Sequence, residues 1–89
     1  MAARRVVITG RVQGVFFRAW TKEQADALGV AGWVRNRPDG SVEALIEGSQ
    51  AAVDALVERL HEGPPQARVD KVEIVEADGE GADRFTIRH

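Results

Sequence analysis

The sequence predicts a two-layer α+β sandwich of the ferredoxin-like kind, an antiparallel sheet with two helices on one face in the order β-α-β-β-α-β. Four short stretches rich in β-branched residues, beginning near Arg4, Val30, Ser41 and Ala67, read as strands. Two intervening stretches carry apolar residues at helical spacing, and each stops at a glycine. At 89 residues the chain is read as one domain over residues 1–89. Two helices in so short a chain can cover only one face of the sheet.

From Arg4 onward, Val6, Ile8, Gly10 and Val12 alternate with Val7, Thr9 and Arg11, which predicts a strand with one buried face ending at Gln13-Gly14. Good helix formers and the spacing Phe17, Trp20/Thr21, Ala25, Leu28 predict an amphipathic helix over 17–28, with Gln24 close beside its apolar stripe and Gly29 as its stop. "VAGWVRN" reads as the second strand, "RPDG" as a tight turn and "SVEALIE" as the third strand, with Val42, Ala44 and Ile46 on one face; together they predict a hairpin. Ser49 is placed to cap a second helix, whose buried face is Ala52, Val53, Leu56, Val57 and Leu60 and whose end is marked by Gly63 and Pro64-Pro65. No capping box is possible, because position 52 is Ala. "ARVDKVEIVEAD" supplies a fourth strand and "GEGA" a flexible connection. "RFTIRH" turns Phe85 and Ile87 inward, as either a fifth strand or the tail of the fourth.

Composition removes several classes of function. Apolar residues at 44% and charged residues at 29% are ordinary for a globular chain and argue against disorder. No apolar run approaches the length of a membrane helix, and Met1 to Arg5 is too short for a signal peptide. The absence of cysteine rules out disulfides, thiolate catalysis and Cys-ligated metals, and fits a reducing compartment. The expected protein is soluble and cytoplasmic. Charge is divided unevenly: residues 1–42 hold seven Lys or Arg against three Asp or Glu, whereas residues 43–89 hold five against eleven. A basic half within a net charge of −2 suits a local anion site better than a nucleic-acid surface, although scatter over a solvated surface gives the same count.

The basic half contains "GRVQGVFFR", residues 10–18. A strand that passes through a Gly-containing loop straight into a helix aims several backbone N–H groups at one point, with the helix N-terminus behind them, and this is an anion cradle. Gly14 permits positive φ and leaves space for a ligand. Arg18 in the first helical turn faces an unfavourable dipole, which a bound phosphate would offset while taking two guanidinium hydrogen bonds. The same residues fit an ordinary β-α turn in which Gly14 permits the bend, Phe16 and Phe17 join the core and Arg18 points to water. No P-loop is present, since Gly10 and Gly14 are too close and no Lys-Ser or Lys-Thr follows. In "GWVRNRPDGSVE", Asn36 ends an otherwise apolar strand. Its amide offers the donor and acceptor needed to orient water, and equally could bond its own backbone. Trp20 and Trp33 read as core or rim residues, His61 as a partner of the second helix's dipole and His89 as a solvated terminus.

Taken together, "GRVQGVFFR" and "GWVRNRPDGSVE" resemble the two signature motifs of the acylphosphatase family, and the length, element order and closing "FTIR" resemble it over essentially the whole chain. The resemblance implies hydrolysis of the anhydride between a carboxylic acid and phosphate. It implies that Arg18 and the backbone N–H groups of Gln13, Gly14, Val15, Phe16 and Phe17 hold the phosphate, while Asn36 positions the attacking water. No metal or organic cofactor is implied. The expected partners are a small acyl phosphate and its product phosphate, with no nucleic acid and no membrane, and the expected state is a monomer. The family pattern is departed from at Phe16, where a smaller Gly or Cys is common, and at His89, where Tyr is common. Three other readings remain open at this point: an anion-binding module without turnover, an acylphosphatase-like domain of a larger carbamoyl-transfer maturation protein, and an RNA-recognition domain of similar strand order. The start at Met and the end after the last strand favour a free-standing protein over the second, and the acidic balance with few strand aromatics disfavours the third.

Overall fold

A computed structural model describes residues 1–89. Its elements are β1 (Ala2–Arg11), α1 (Phe17–Leu28), β2 (Ala31–Asn36), β3 (Val42–Gly48), α2 (Gln50–Glu62), β4 (Arg68–Glu76) and β5 (Phe85–Arg88). They form one sheet in the order β4-β1-β3-β2-β5. β1 pairs antiparallel with β3 and β4, and β2 pairs antiparallel with β3. The closing run is a fifth strand. It lies parallel to β2, with Gly32 opposite Phe85 and Arg35 opposite Arg88, so the ferredoxin-like sheet becomes mixed at that edge. No helix is long and apolar enough to cross a membrane.

The core lies between the helices and one sheet face. Val6, Ile8, Val34, Ala44 and Ile46 from the sheet meet Phe17, Ala25, Val53, Leu56 and Leu60 from the helices, all 2% exposed or less. Burying one such large apolar side chain stabilises by about 1.5–3 kcal/mol. Both helix ends follow the sequence. Gly29 takes the left-handed conformation and its N–H donates to the carbonyls of Ala25 and Asp26, while Ser49 Oγ accepts from the Ala52 N–H at 3.2 Å. Gln24, the polar intruder on α1, accepts from Arg59 Nη1 of α2 at 2.7 Å and so joins the two helices.

β3 is buried along its whole length, including Glu43 and Glu47. Glu43 Oε1 accepts from Arg35 Nε at 2.7 Å, and Arg5 Nε stands 3.6 Å from its other oxygen. Glu47 is covered by the connection between β4 and β5, which must cross from one sheet edge to the other over the face the helices leave open. There Gly81 N–H donates to Glu47 Oε1 at 3.1 Å and Trp33 Nε1 donates to Glu80 Oε1 at 3.3 Å. Arg88 stacks over the Trp33 ring at 4.5 Å. Charged side chains thus roof the outer face.

Gly32 lies in β2 against the backbone of β3. Its φ is +131°, and an added Cβ would collide with the Leu45 carbonyl. Gly32→Ala is therefore expected to destabilise the protein by about 3 kcal/mol or more, lowering Tm by more than ~10 °C. Thermal unfolding followed by circular dichroism measures this, and a drop of only a degree or two would mean that β2 and β3 part easily.

Candidate active site

The end of β1 is bent before it enters the loop. Its register with β4 shifts between Thr9 and Gly10, so that Thr9 faces Lys71 and Gly10 faces Val69, a bulge that re-aims the strand. Only glycine fits here, because φ at Gly10 is +132° and a Cβ would run into the Arg68 carbonyl. The chain leaves the sheet at the buried Val12, turns through Gly14 at φ +73° and enters α1 after Phe16.

Phe16 occupies the cap position of α1 with φ 61° and ψ 27°, and no side chain caps the helix. It is the one non-glycine residue with positive φ, and its ring is 79% exposed. The reading that put Phe16 and Phe17 both in the core holds for Phe17 alone, which is 2% exposed. The backbone N–H groups of Gln13, Gly14, Val15, Phe16 and Phe17 donate to nothing in the chain, and the first turn of α1 contains no acidic residue. A row of unpaired N–H groups at a helix start attracts an anion.

Two side chains link this loop to the rest of the cleft. Gln13 Nε2 donates to the carbonyls of Arg37 at 2.8 Å and Ser41 at 2.9 Å, tying the loop to the β2–β3 turn. That turn is itself closed by Gly40 N–H to the Arg37 carbonyl at 3.1 Å. The hydroxyl of Ser41 and then its N–H donate to Asp39, holding its carboxyl below the ordinary value. Arg18 Nη1 donates to the Arg88 carbonyl at 3.0 Å and lies 3.2 Å from His89 Nδ1. Nη2 and Nε of Arg18 have no partner in the chain, so two nitrogens of the guanidinium, with three N–H donors between them, stay free.

Asn36 closes β2 opposite Val42 and is half-buried. Its side-chain amide bonds neither its own backbone nor any other group. It faces an open cleft of about 360 Å³ whose walls also include Gly14, Phe16, Phe17 and Arg18. Five of the residues singled out from sequence thus share one cavity. Gln13 and Val15 do not line it: the Gln13 side chain is engaged by the turn and Val15 is 5% exposed, leaving their N–H groups as their contribution to the loop. Sequence reasoning did not place Val12, Ala19, Ile87 or His89 in this wall. Only the parallel pairing of β5 with β2 brings the last two there, and no local pattern reports that pairing. No group of three or more His, Cys, Asp or Glu side chains could hold a metal ion.

Gln13→Ala removes two hydrogen bonds between loop and turn. It is expected to cost about 1–2 kcal/mol, a Tm lower by roughly 4–15 °C. Thermal unfolding measures it, and an unchanged Tm would show that the loop and the turn hold their places independently.

The sandwich is thus of the ferredoxin-like class, and its cleft gathers unpaired amides, a largely free guanidinium and a partnerless carboxamide, a donor set that suits a small anion. Comparison with known proteins narrows the class. The Acylphosphatase family model matches residues 4–87. An acylphosphatase of Rubrobacter xylanophilus is 59% identical over 85 residues, 94% of this chain and 77% of that protein. The crystal structure of acylphosphatase from Bacillus subtilis superposes with a TM-score of 0.96 at 41% identity, covering 100% of both chains. The structure of an acylphosphatase from Coxiella burnetii does so with a TM-score of 0.94 at 39% identity, covering 98% of this chain and 92% of that one. The chain belongs to the acylphosphatase family, and with it to the enzymes that hydrolyse acyl phosphates.

Proposed function

We propose that the protein hydrolyses acyl phosphates by direct attack of an Asn36-oriented water on a phosphate held by Arg18 and the loop amides. The observation that carries this reading is the meeting of Arg18, Asn36 and the loop residues Gly14, Phe16 and Phe17, whose N–H groups are unpaired, around one cleft. The phosphoryl oxygens accept from the N–H groups of Gln13, Gly14, Val15, Phe16 and Phe17, and from Nη2 and Nε of Arg18, whose third nitrogen is anchored to the Arg88 carbonyl. Asn36 accepts a hydrogen bond from the water and donates one to it or to the phosphate. The new O–P bond forms as the bond from phosphorus to the acyl oxygen breaks, and that electron pair leaves with the carboxylate. Both protons of the water stay with the phosphate, so acyl phosphate dianion plus water gives carboxylate and dihydrogen phosphate.

A carboxylate has a conjugate-acid pKa of about 4, so it departs without a general acid. What the reaction requires is alignment of water, phosphorus and leaving oxygen, and stabilisation of charge on the equatorial oxygens. Amides and a guanidinium supply the second, and one carboxamide supplies the first. The reading needs no metal, no cofactor, no nucleic acid and no membrane, and it suits a cytoplasmic monomer.

Hydrolysis of benzoyl phosphate by the purified protein in excess chelator tests it. Rapid turnover that survives chelation is expected. No turnover, with inorganic phosphate still protecting the protein against thermal unfolding, would reduce the site to a binding cradle.

A further inference from the structure

Beside the phosphate cleft, with Phe16 in the walls of both, lies a second depression of about 420 Å³, walled by Val15, Phe16, Ala19, Trp20, Pro64 and Pro65. Phe16 and Ala19 line both cavities, so the two adjoin along these residues. We propose that this groove receives the acyl group of the substrate and selects uncharged, apolar acyl groups over those bearing a second negative charge. The proposal rests on the assignment of acyl phosphate hydrolysis to the adjoining cleft.

In-line displacement requires the leaving group to depart away from the attacking water. Asn36 lines the phosphate cleft and is absent from the groove; in this proposal the water stands on the Asn36 side of the phosphate and the acyl group leaves toward the apolar walls beside Phe16. Those walls are preformed. The Trp20 ring packs edge-on against the buried Phe17 with centroids 5.6 Å apart, and the two prolines carry little freedom to lose. Phe16 is exposed at 79% on a left-handed backbone, and both features cost stability. Placed at the junction of the two cavities, the ring can instead cover an acyl group. The groove includes no Lys or Arg, while the exposed Glu23 stands in its wall. A dicarboxylic acyl group would bring its free carboxylate against Glu23 with no cation to receive it.

Ratios of kcat/KM for benzoyl, acetyl and succinyl phosphate test the proposal, since a ratio cancels any general effect on the phosphate site. Phe16→Gly removes the shared wall and frees the strained backbone, and is expected to lower the benzoyl-to-acetyl ratio about five- to tenfold. Glu23→Lys should raise the succinyl-to-acetyl ratio about fivefold or more, with Glu58→Lys, an equal charge change on the exposed face of α2, leaving that ratio within about twofold. Unmoved ratios in Phe16→Gly and Glu23→Lys, with acetyl phosphate still hydrolysed, would overturn the groove assignment alone. Absence of turnover of all three substrates by the unaltered protein would overturn it together with the reaction it rests on.

Discussion

Arg18→Ala is expected to lower kcat/KM for benzoyl phosphate by about 1,000-fold or more, the scale seen when a charged donor to a transferring phosphoryl group is removed. The side chain is half-buried at the mouth of the cleft and bonds only the Arg88 carbonyl and His89, so its loss should leave the fold intact. Both binding and turnover should suffer, because the guanidinium meets the phosphate charge before and during transfer. Inhibition by inorganic phosphate should weaken by at least about tenfold in the same variant. Arg18→Lys keeps the charge and loses the fork, since an ammonium cannot donate to the Arg88 carbonyl and two phosphate oxygens in one plane. It should recover only part of the activity. Steady-state kinetics with phosphate as inhibitor measures both variants, and a loss below tenfold in Arg18→Ala would mean that the loop amides hold the phosphate unaided.

Asn36→Ala should act differently. Its amide bonds nothing in the protein, so truncation leaves no orphaned partner and should change Tm by less than about 3 °C. If the amide aligns the water, kcat should fall about 100- to 1,000-fold while KM stays within roughly threefold. Asn36→Asp keeps the shape, loses the donor and sets a carboxylate beside the phosphate, so it should raise KM as well as lower kcat. Near-normal turnover in Asn36→Ala would remove the residue from the mechanism and leave water aligned by the phosphate alone.

Much of this arrangement was legible because it is written in local pattern. The limits of α1, its glycine stop and the Ser49 cap follow from spacing and from the residue types that helix ends require. The buried faces of β1 and β3 follow from alternation. What escaped depends on contacts between distant residues. Alternation puts Val42, Ala44 and Ile46 inward and says nothing of what covers Glu43 and Glu47, which are buried by Arg35, Arg5 and the crossing connection. Gln13 reads as a loop residue, yet its side chain reaches carbonyls 24 and 28 positions away and joins the two motifs. The position of His89 beside Arg18 depends on a parallel strand pair that no pairing rule extracts from four residues. Phe16, next to the buried Phe17, reads equally well as core, and only its left-handed backbone turns the ring out to solvent.

The central claim is that water attacks phosphorus, where the amides, Arg18 and Asn36 converge. Hydrolysis of benzoyl phosphate in oxygen-18 water, with both products analysed by mass spectrometry, tests it most directly. The expected result is one solvent oxygen in each phosphate and none in benzoate. Label in benzoate would mean attack at the carbonyl carbon, with Asn36 and the loop gathered around the wrong atom.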